Sequence, residues 1–249
     1  MSDQSLTAVL FAVIALLYAA VGQAGGTGYV AVMGLLNYGP DAIKPTSLAL
    51  NVFVAAIGYW RFARAGFLTW RSYYPFAILG APFSVLGGAT HLPSGYYQPL
   101  VGLLLLVAAF QTVRSAKSAD QLDRDAPSAP PFLPALLAGA VIGFVSGLTG
   151  VGGGIFLAPL VLALGWIETR QAAAISTVFN LLNSAAALAG VWATMPAFPA
   201  ELPLWLVDVG LGGLLGSWLG AFYFRPRILR IILAVLLAVA GARMVWTIF

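Results

Sequence analysis

The chain has 249 residues, 61% of them hydrophobic and 8% charged, with a formal charge of +4 and a mean hydropathy of +0.94. Soluble domains carry about 25% charged residues, so a water-soluble globule of this length could not cover its own surface. The absence of cysteine excludes disulfides, thiolate zinc sites and cysteine nucleophiles, and an inserted chain needs its basic excess for orientation, which leaves little reason to read nucleic acid as a partner.

The pattern predicts an all-α polytopic integral membrane protein. Apolar runs such as 6–21, 100–110 and 228–245 approach or match the roughly 20 residues that cross about 30 Å of hydrocarbon. The dyad alternation of a membrane β-barrel is missing.

The first element, residues 6–38, is apolar but too long for one straight helix. Only Asp3 is charged ahead of it, so it lacks the basic start of a signal peptide and is read as mature structure. It breaks at Gly22-Gln23-Ala24-Gly25-Gly26-Thr27-Gly28. Spans over 46–62, 73–90 and 98–114 follow. The first carries Ser47 and Asn51, four apart and so on one helix face. The second carries Gly80, Ser84 and Gly88, small residues at every fourth position that let backbones approach closely. His91 falls in a short loop and reads as a surface residue.

Residues 115–131, SAKSADQLDRDAPSAPP, have the charge, serine and proline content of a flexible linker. They divide the chain into a first membrane repeat at 1–114 and a second at 132–249. The second interrupted element, 132–166, breaks at Gly147-Leu148-Thr149-Gly150-Val151-Gly152-Gly153-Gly154 and contains Pro159. Spans over 172–193, 203–222 and 228–247 complete the chain. Ser176 and Asn180 repeat the Ser-xxx-Asn pattern, with Asn183 and Ser184 beside them, and Gly212, Gly216 and Gly220 repeat the small-residue ladder. Asp208 is the only acid well within a span, and Arg243 lies near the chain end, where a long basic side chain snorkels.

The halves therefore read as copies. Gly22 to Gly25 aligns with Gly147 to Gly150, Gly28 with Gly153, and Ser47/Asn51 with Ser176/Asn180. Charge placement then fixes the topology, because Lys and Arg concentrate at the cytoplasmic face. If each interrupted element crosses once, Arg61, Arg64, Arg71, Arg114, Lys117, Arg124 and Arg243 face inward and the other five basic residues outward. If each returns to its own side, only Lys44 and Arg243 of the twelve are outside. The second arrangement gives an odd number of crossings per repeat, so the copies are expected to be inverted, as in many secondary transporters.

Glycine runs of this density do not remain ordinary helix, and irregular backbone at membrane depth is tolerated only against protein or a water-filled cavity. The half-helix that restarts after each break aims free N–H groups and a positive dipole end at that cavity, which suits an anion. The expected substrate-binding set is Gln23, Gly25, Gly26, Thr27, Gly28, Ser47, Asn51, Thr149, Gly150, Gly152, Gly153, Gly154, Ser176, Asn180 and Asn183, with Asp208 as the candidate for proton coupling. The plainer alternative is that the glycines serve helix packing and the amides bond neighbouring helices. One histidine and the separated acids Glu201 and Asp208 assemble no metal or hydrolytic site, so neither an enzyme nor a cofactor is expected.

Together, Gly-x-x-Gly-x-Gly-Gly-Gly-x-x-x-x-Pro at Gly147 to Pro159, its echo at Gly22 to Gly34, Ser-xxx-Asn in each half and Gly-Gly-Leu-Leu-Gly at Gly212 to Gly216 resemble the TauE/SafE sulfite exporter family. In the echo, Gly34 replaces Pro159 and Thr27 replaces Gly152. The resemblance implies a secondary transporter in the inner (plasma) membrane that exports sulfite or a small organosulfonate, with the linker in the cytoplasm. A passive anion channel and a non-transporting scaffold are the rival readings. The expected partners are a small anion and the bilayer; whether the chain forms a homodimer is left open.

Overall fold

The computed structural model describes residues 3–21, 23–64, 66, 70–118, 130–167, 169–194, 198–222 and 226–246, and every regular element in them is an α-helix. The first half supplies α1 (Asp3–Ala20), α2 (Gly26–Leu35), α3 (Pro40–Arg64), α4 (Trp70–Ala89) and α5 (Ser94–Ser118). The second supplies α6 (Phe132–Thr149), α7 (Gly154–Ala163), α8 (Thr169–Thr194), α9 (Leu202–Phe222) and α10 (Pro226–Trp246). Each half is a broken pair followed by three helices, the order that hydropathy predicts. Six helices, α3, α5, α6, α8, α9 and α10, are long and apolar enough to cross a bilayer. The segment expected as a linker is still helical to Ser118; its residues 119–129, like Gly22, lie outside the described residues.

The helices break where the backbone turns left-handed. Gly25, Gly150, Gly152 and Gly153 have φ of +90°, +81°, +89° and +70°, a region that costs a side-chain-bearing residue steric energy and glycine almost none. Gly25 and Gly153 are the N-caps of α2 and α7, both ten residues long. Gly25 therefore corresponds to Gly153. The alignment by glycine identity, which pairs Gly25 with Gly150, is three residues out of register, because the left-handed residue that starts a helix sets its phase. In the corrected register, Ala31 stands opposite Pro159 and Ile155 opposite Thr27.

Both broken pairs turn back toward the end at which they began. Thr7, in the second turn of α1, meets Tyr38, just past α2, with Oγ1 and OH 3.2 Å apart. In the second half Trp166, just past α7, lies 6.3 Å from the Phe76 ring, and the Phe76 carbonyl faces Gly139 in α6. A ten-residue helix rises about 15 Å, so α2 and α7 reach only half of the hydrocarbon thickness.

The small-residue ladders set the longest seams. Gly139, Gly143 and Gly147 of α6 face the carbonyls of Phe76, Gly80 and Ser84 in α4, in parallel register, and Gly212 and Gly216 of α9 face Ala12 and Leu16 of α1 in the same way. A methyl group at any of these five positions would strike backbone. The last helices of the two halves, α5 and α10, run antiparallel across Gly102 and Gly241. So do α3 and α8, where Leu48 packs on Ala187 and Val191 and Gly58 on Thr177.

The sequence halves consequently interleave. The apolar cluster around Phe76 and Phe179 draws on α4, α6, α7 and α8, whereas that around Phe11, Tyr29 and Trp205 draws on α1, α2, α3, α9 and the α5/α10 pair. Trp60 and Trp70 are 54% and 65% exposed, as interfacial residues are, but Trp205 is 1% exposed and meets Phe11 edge-on. Arg243 is exposed, and its guanidinium also caps the C-terminal end of α2 by donating to Leu35 O and Asn37 Oδ1.

Candidate functional site

The two breaks converge where α3 and α8 cross. Asn51 Nδ2 donates to Asn180 Oδ1 at 2.9 Å, and Asn180 Nδ2 returns a bond to Asn51 Oδ1 at 3.1 Å. The pair is self-complementary, as equivalent residues facing each other across a two-fold relation should be. Asn51 Nδ2 also donates to Ser184 Oγ at 2.8 Å. Around the amides, Gly152 lies against both side chains, Gly26 against Asn51 and the Val151 carbonyl, and Gly154 against Asn180. A side chain at Gly26 or Gly152 would enter the space that the amides fill.

Neither half-helix has a side-chain cap. In α2 the N–H groups of Gly28 and Tyr29 bond to Gly25 O, which leaves those of Gly26 and Thr27 as the open donors of the first turn. In α7 the N–H groups of Gly154, Phe156 and Leu157 find Gly152 O, Gly153 O and Gly153 O, leaving that of Ile155.

The two sides of the amide pair differ. Toward the start of α3 the structure is bonded shut. Ser47 Oγ donates to Gly150 O at 3.0 Å, and Tyr97 OH donates to Thr149 O at 2.7 Å. Lys44, 4% exposed, donates from Nζ to Gly87 O, Gly88 O and Thr90 O at 3.0, 2.7 and 2.8 Å. A cation at the C-terminal end of α4 satisfies carbonyls that the helix leaves unpaired. At the rim His91 Nε2 meets Asp41 Oδ1 at 3.1 Å.

On the other side lies a cavity of about 960 Å³, lined by Gln23, Gly25, Gly26 and Thr27 at one break, by Gly154 at the other, and by Ser176 and Asn180 of α8. From there it extends along apolar residues such as Phe110, Ile155 and Phe156 to Arg114, near the C-terminal end of α5, and Arg230, near the start of α10. Ser176, four residues before Asn180 as Ser47 is before Asn51, is 8% exposed and its Oγ has no partner. Tyr18 also lines the cavity, with its OH 2.7 Å from Thr27 Oγ1.

Of the residues expected to bind substrate, Gln23, Gly25, Gly26, Thr27, Gly154, Ser176 and Asn180 thus border one cavity. Asn51 and Gly152 stand immediately behind it at the amide pair. Ser47, Thr149 and Gly150 belong to the closed side. Gly153 caps α7. Gly28 packs against Ile14 and Tyr18, as the packing alternative holds. Asn183, fully buried, has neither amide atom bonded and lies against Gly80. Asp208 is half-buried with Oδ2 unbonded, and it does not line the cavity. No group of three His, Cys, Asp or Glu that could hold a metal occurs among the described residues.

Sequence reading passed over Lys44, Tyr97, Arg114 and Arg230. Lys44 carries a signal, because an ionisable residue within a span is a functional candidate, but a span expected to begin near residue 46 leaves it in the loop. α3 begins at Pro40 and takes Lys44 into the helix.

A family model described as "Sulfite exporter TauE/SafE" matches residues 6–244. A probable membrane transporter protein of Sinorhizobium fredii is 52% identical over 239 residues, covering 96% of this chain and 97% of that protein. A second, from a Sinorhizobium species, is 27% identical over 88% of this chain and 83% of its own length. A third, from Methanocaldococcus jannaschii, is 29% identical over 55% of this chain and 52% of its own. No solved structure matches the chain.

Proposed function

The chain belongs to the sulfite exporter TauE/SafE family, and from that premise we propose that it exports a small sulfur-containing anion, sulfite or an organosulfonate, by alternating access. Membership itself makes it a multi-pass membrane transporter and not an enzyme. The observation that carries the finer reading is the one-sided cavity: it ends on two glycine breaks and the Asn51/Asn180 pair, and beyond that pair the protein is bonded shut.

Charge selection follows from the lining. Open N–H groups at the start of α2 and α7 favour an anion, and the uncharged donors Thr27, Ser176 and Asn180 bind one without holding it too tightly for release. A scaffold has no use for a cavity of about 960 Å³, so that rival is set aside.

Export as the direction is taken from the family's description; topology says which way the cavity faces. We read the halves as inverted copies, a reading supported by the antiparallel α3/α8 and α5/α10 pairs and by the return of both broken pairs. The linker and the Arg61 to Arg71 loop are then cytoplasmic in the inner membrane, the cavity faces the cytoplasm, and the closed side faces out. This is the loading state of an exporter. In the opposite state Ser176 takes the bonded role that Ser47 has here. Asp208 is assigned to proton uptake, on the strength of its unbonded oxygen inside a span.

The test is sulfite and sulfonate flux in proteoliposomes. Asn51→Leu and Asn180→Leu are expected to lower it about tenfold or more, the rate effect of losing about 1.4 kcal/mol in the transported complex. Asp208→Asn is expected to uncouple flux from an imposed proton gradient. Flux that ignores the gradient in the unaltered protein marks a passive channel instead, and no anion movement at all overturns the transport reading.

A further inference from the structure

Among the described residues, the cavity carries formal charge at its far end alone. Its described lining contains Arg114 and Arg230 and no Asp, Glu, Lys or His. The arginines come from the antiparallel pair α5 and α10, so they reach the same end of the cavity from two helices. Gln111, one turn from Arg114 and on the same face of α5, also lines the cavity, and its Oε1 is buried without a partner. Deeper in, Ser176 Oγ is buried and unpartnered. The polar groups thus fall at two levels, separated by the apolar side chains of Val107, Phe110 and Phe156.

We propose that Arg114 and Arg230 form a second anion-binding subsite at the mouth of the cavity, distinct from the glycine breaks, which captures oxyanions (sulfonates or carboxylates) and rejects cations before they reach Asn180. The inference deepens the transport reading of the same cavity and rests on it for its biological meaning. Physically it rests on focusing. A cleft lined by one sign of charge between low-dielectric walls raises the local concentration of the opposite sign by about 10-fold or more. Guanidinium suits the role because its planar fork grips an oxyanion with two parallel N–H bonds. The separation of levels gives the arginines the capture step and the uncharged donors the transported state, so release is not opposed by a full cation at the deep site.

The chain has no cysteine, which permits a test that does not require transport. A single reporter is placed by Ala173→Cys, one turn from Ser176 on the cavity wall. Its reaction rate is measured with two thiosulfonates of similar size, anionic 2-sulfonatoethyl and cationic 2-(trimethylammonio)ethyl methanethiosulfonate, each scaled to its rate with free 2-mercaptoethanol. The scaled ratio is expected to favour the anion by about tenfold, to fall within about twofold of unity in Arg114→Gln/Arg230→Gln, and to survive in Arg114→Lys/Arg230→Lys. Raising ionic strength to about 1 M, where the Debye length is about 3 Å, is expected to abolish the preference in the reporter protein with both arginines intact, which needs no arginine variant to fold. A scaled ratio near unity at low salt, or one unchanged by the double Gln substitution, overturns the subsite. In flux assays with Ala173 intact, the double Gln variant is expected to raise KM about tenfold with kcat largely kept. Absence of flux alongside an intact thiol preference defeats the transport reading and leaves the subsite standing.

Discussion

Asn51 and Asn180 each give and take one bond in the reciprocal pair, so removing either carboxamide costs the other both: buried Asn51 keeps only its bond to Ser184, and Asn180 is left at the cavity wall. Interhelical polar bonds in membrane proteins are worth about 0.6 kcal/mol on average and up to about 1.7, and an unsatisfied partner adds to the loss. Asn51→Ala and Asn180→Ala are each expected to lower stability by about 1–2 kcal/mol in a detergent unfolding assay. The double variant is expected to cost less than their sum; strict additivity contradicts a shared bond. The amides were legible in sequence because a polar pattern recurred in both halves. That they bond to each other was not, since nothing in one helix's spacing reveals the crossing point of two. Lys44 shows the complementary blind spot: its three carbonyl partners lie more than forty positions along the chain.

At the scale of elements, spacing alone marks the small-residue ladders as packing surfaces but names no partner for them. Gly80, Ser84 and Gly88 belong to a seam with α6 and α8, in the other half of the chain, and Gly212 and Gly216 to one with α1. Overpacking a close seam costs about 1–3 kcal/mol or more. Gly143→Leu, whose side chain must displace the Gly80 carbonyl, is expected to lower the melting temperature sharply or abolish folding, whereas Gly95→Ala, with open space around it, is expected to leave it nearly unchanged. Equal effects of the two would show that α4 and α6 are not in backbone contact. The breaks themselves were visible as glycine density, yet their register was not, because several glycines offer themselves and only the left-handed ones start a helix.

For the molecule as a whole, the order of a broken pair and three helices was legible from hydropathy alone, whereas its one-sidedness was not. Seven residues before Asn51, Lys44 closes one side, while Ala173, seven before Asn180, lines the open cavity. Lys44→Met is therefore expected to loosen the closed side. A cysteine at Ser47 is expected to resist a membrane-impermeant thiol reagent in the otherwise unaltered chain and to react at least several-fold faster when Lys44→Met is added; unchanged protection argues that the lysine is not a latch. The inverted reading makes its own forecast, since the α6/α7 pair returns to the side on which it began. Cysteines at Ser118 and Arg227 are expected to label from the same, cytoplasmic, face of the membrane, and labelling from opposite faces, as a single crossing of that pair demands, defeats the topology.

The interleaving of the two halves has a consequence for how this protein is made. Each cluster of apolar side chains borrows from the other half, α4 in one and α9 with α10 in the other. A ribosome that has finished only the first half has therefore produced five helices with their seams open, and α4 waits in the bilayer for α6 before its glycine and serine face is covered. Cutting the gene at the linker should accordingly yield two fragments that are degraded when made alone and rescue one another when made together.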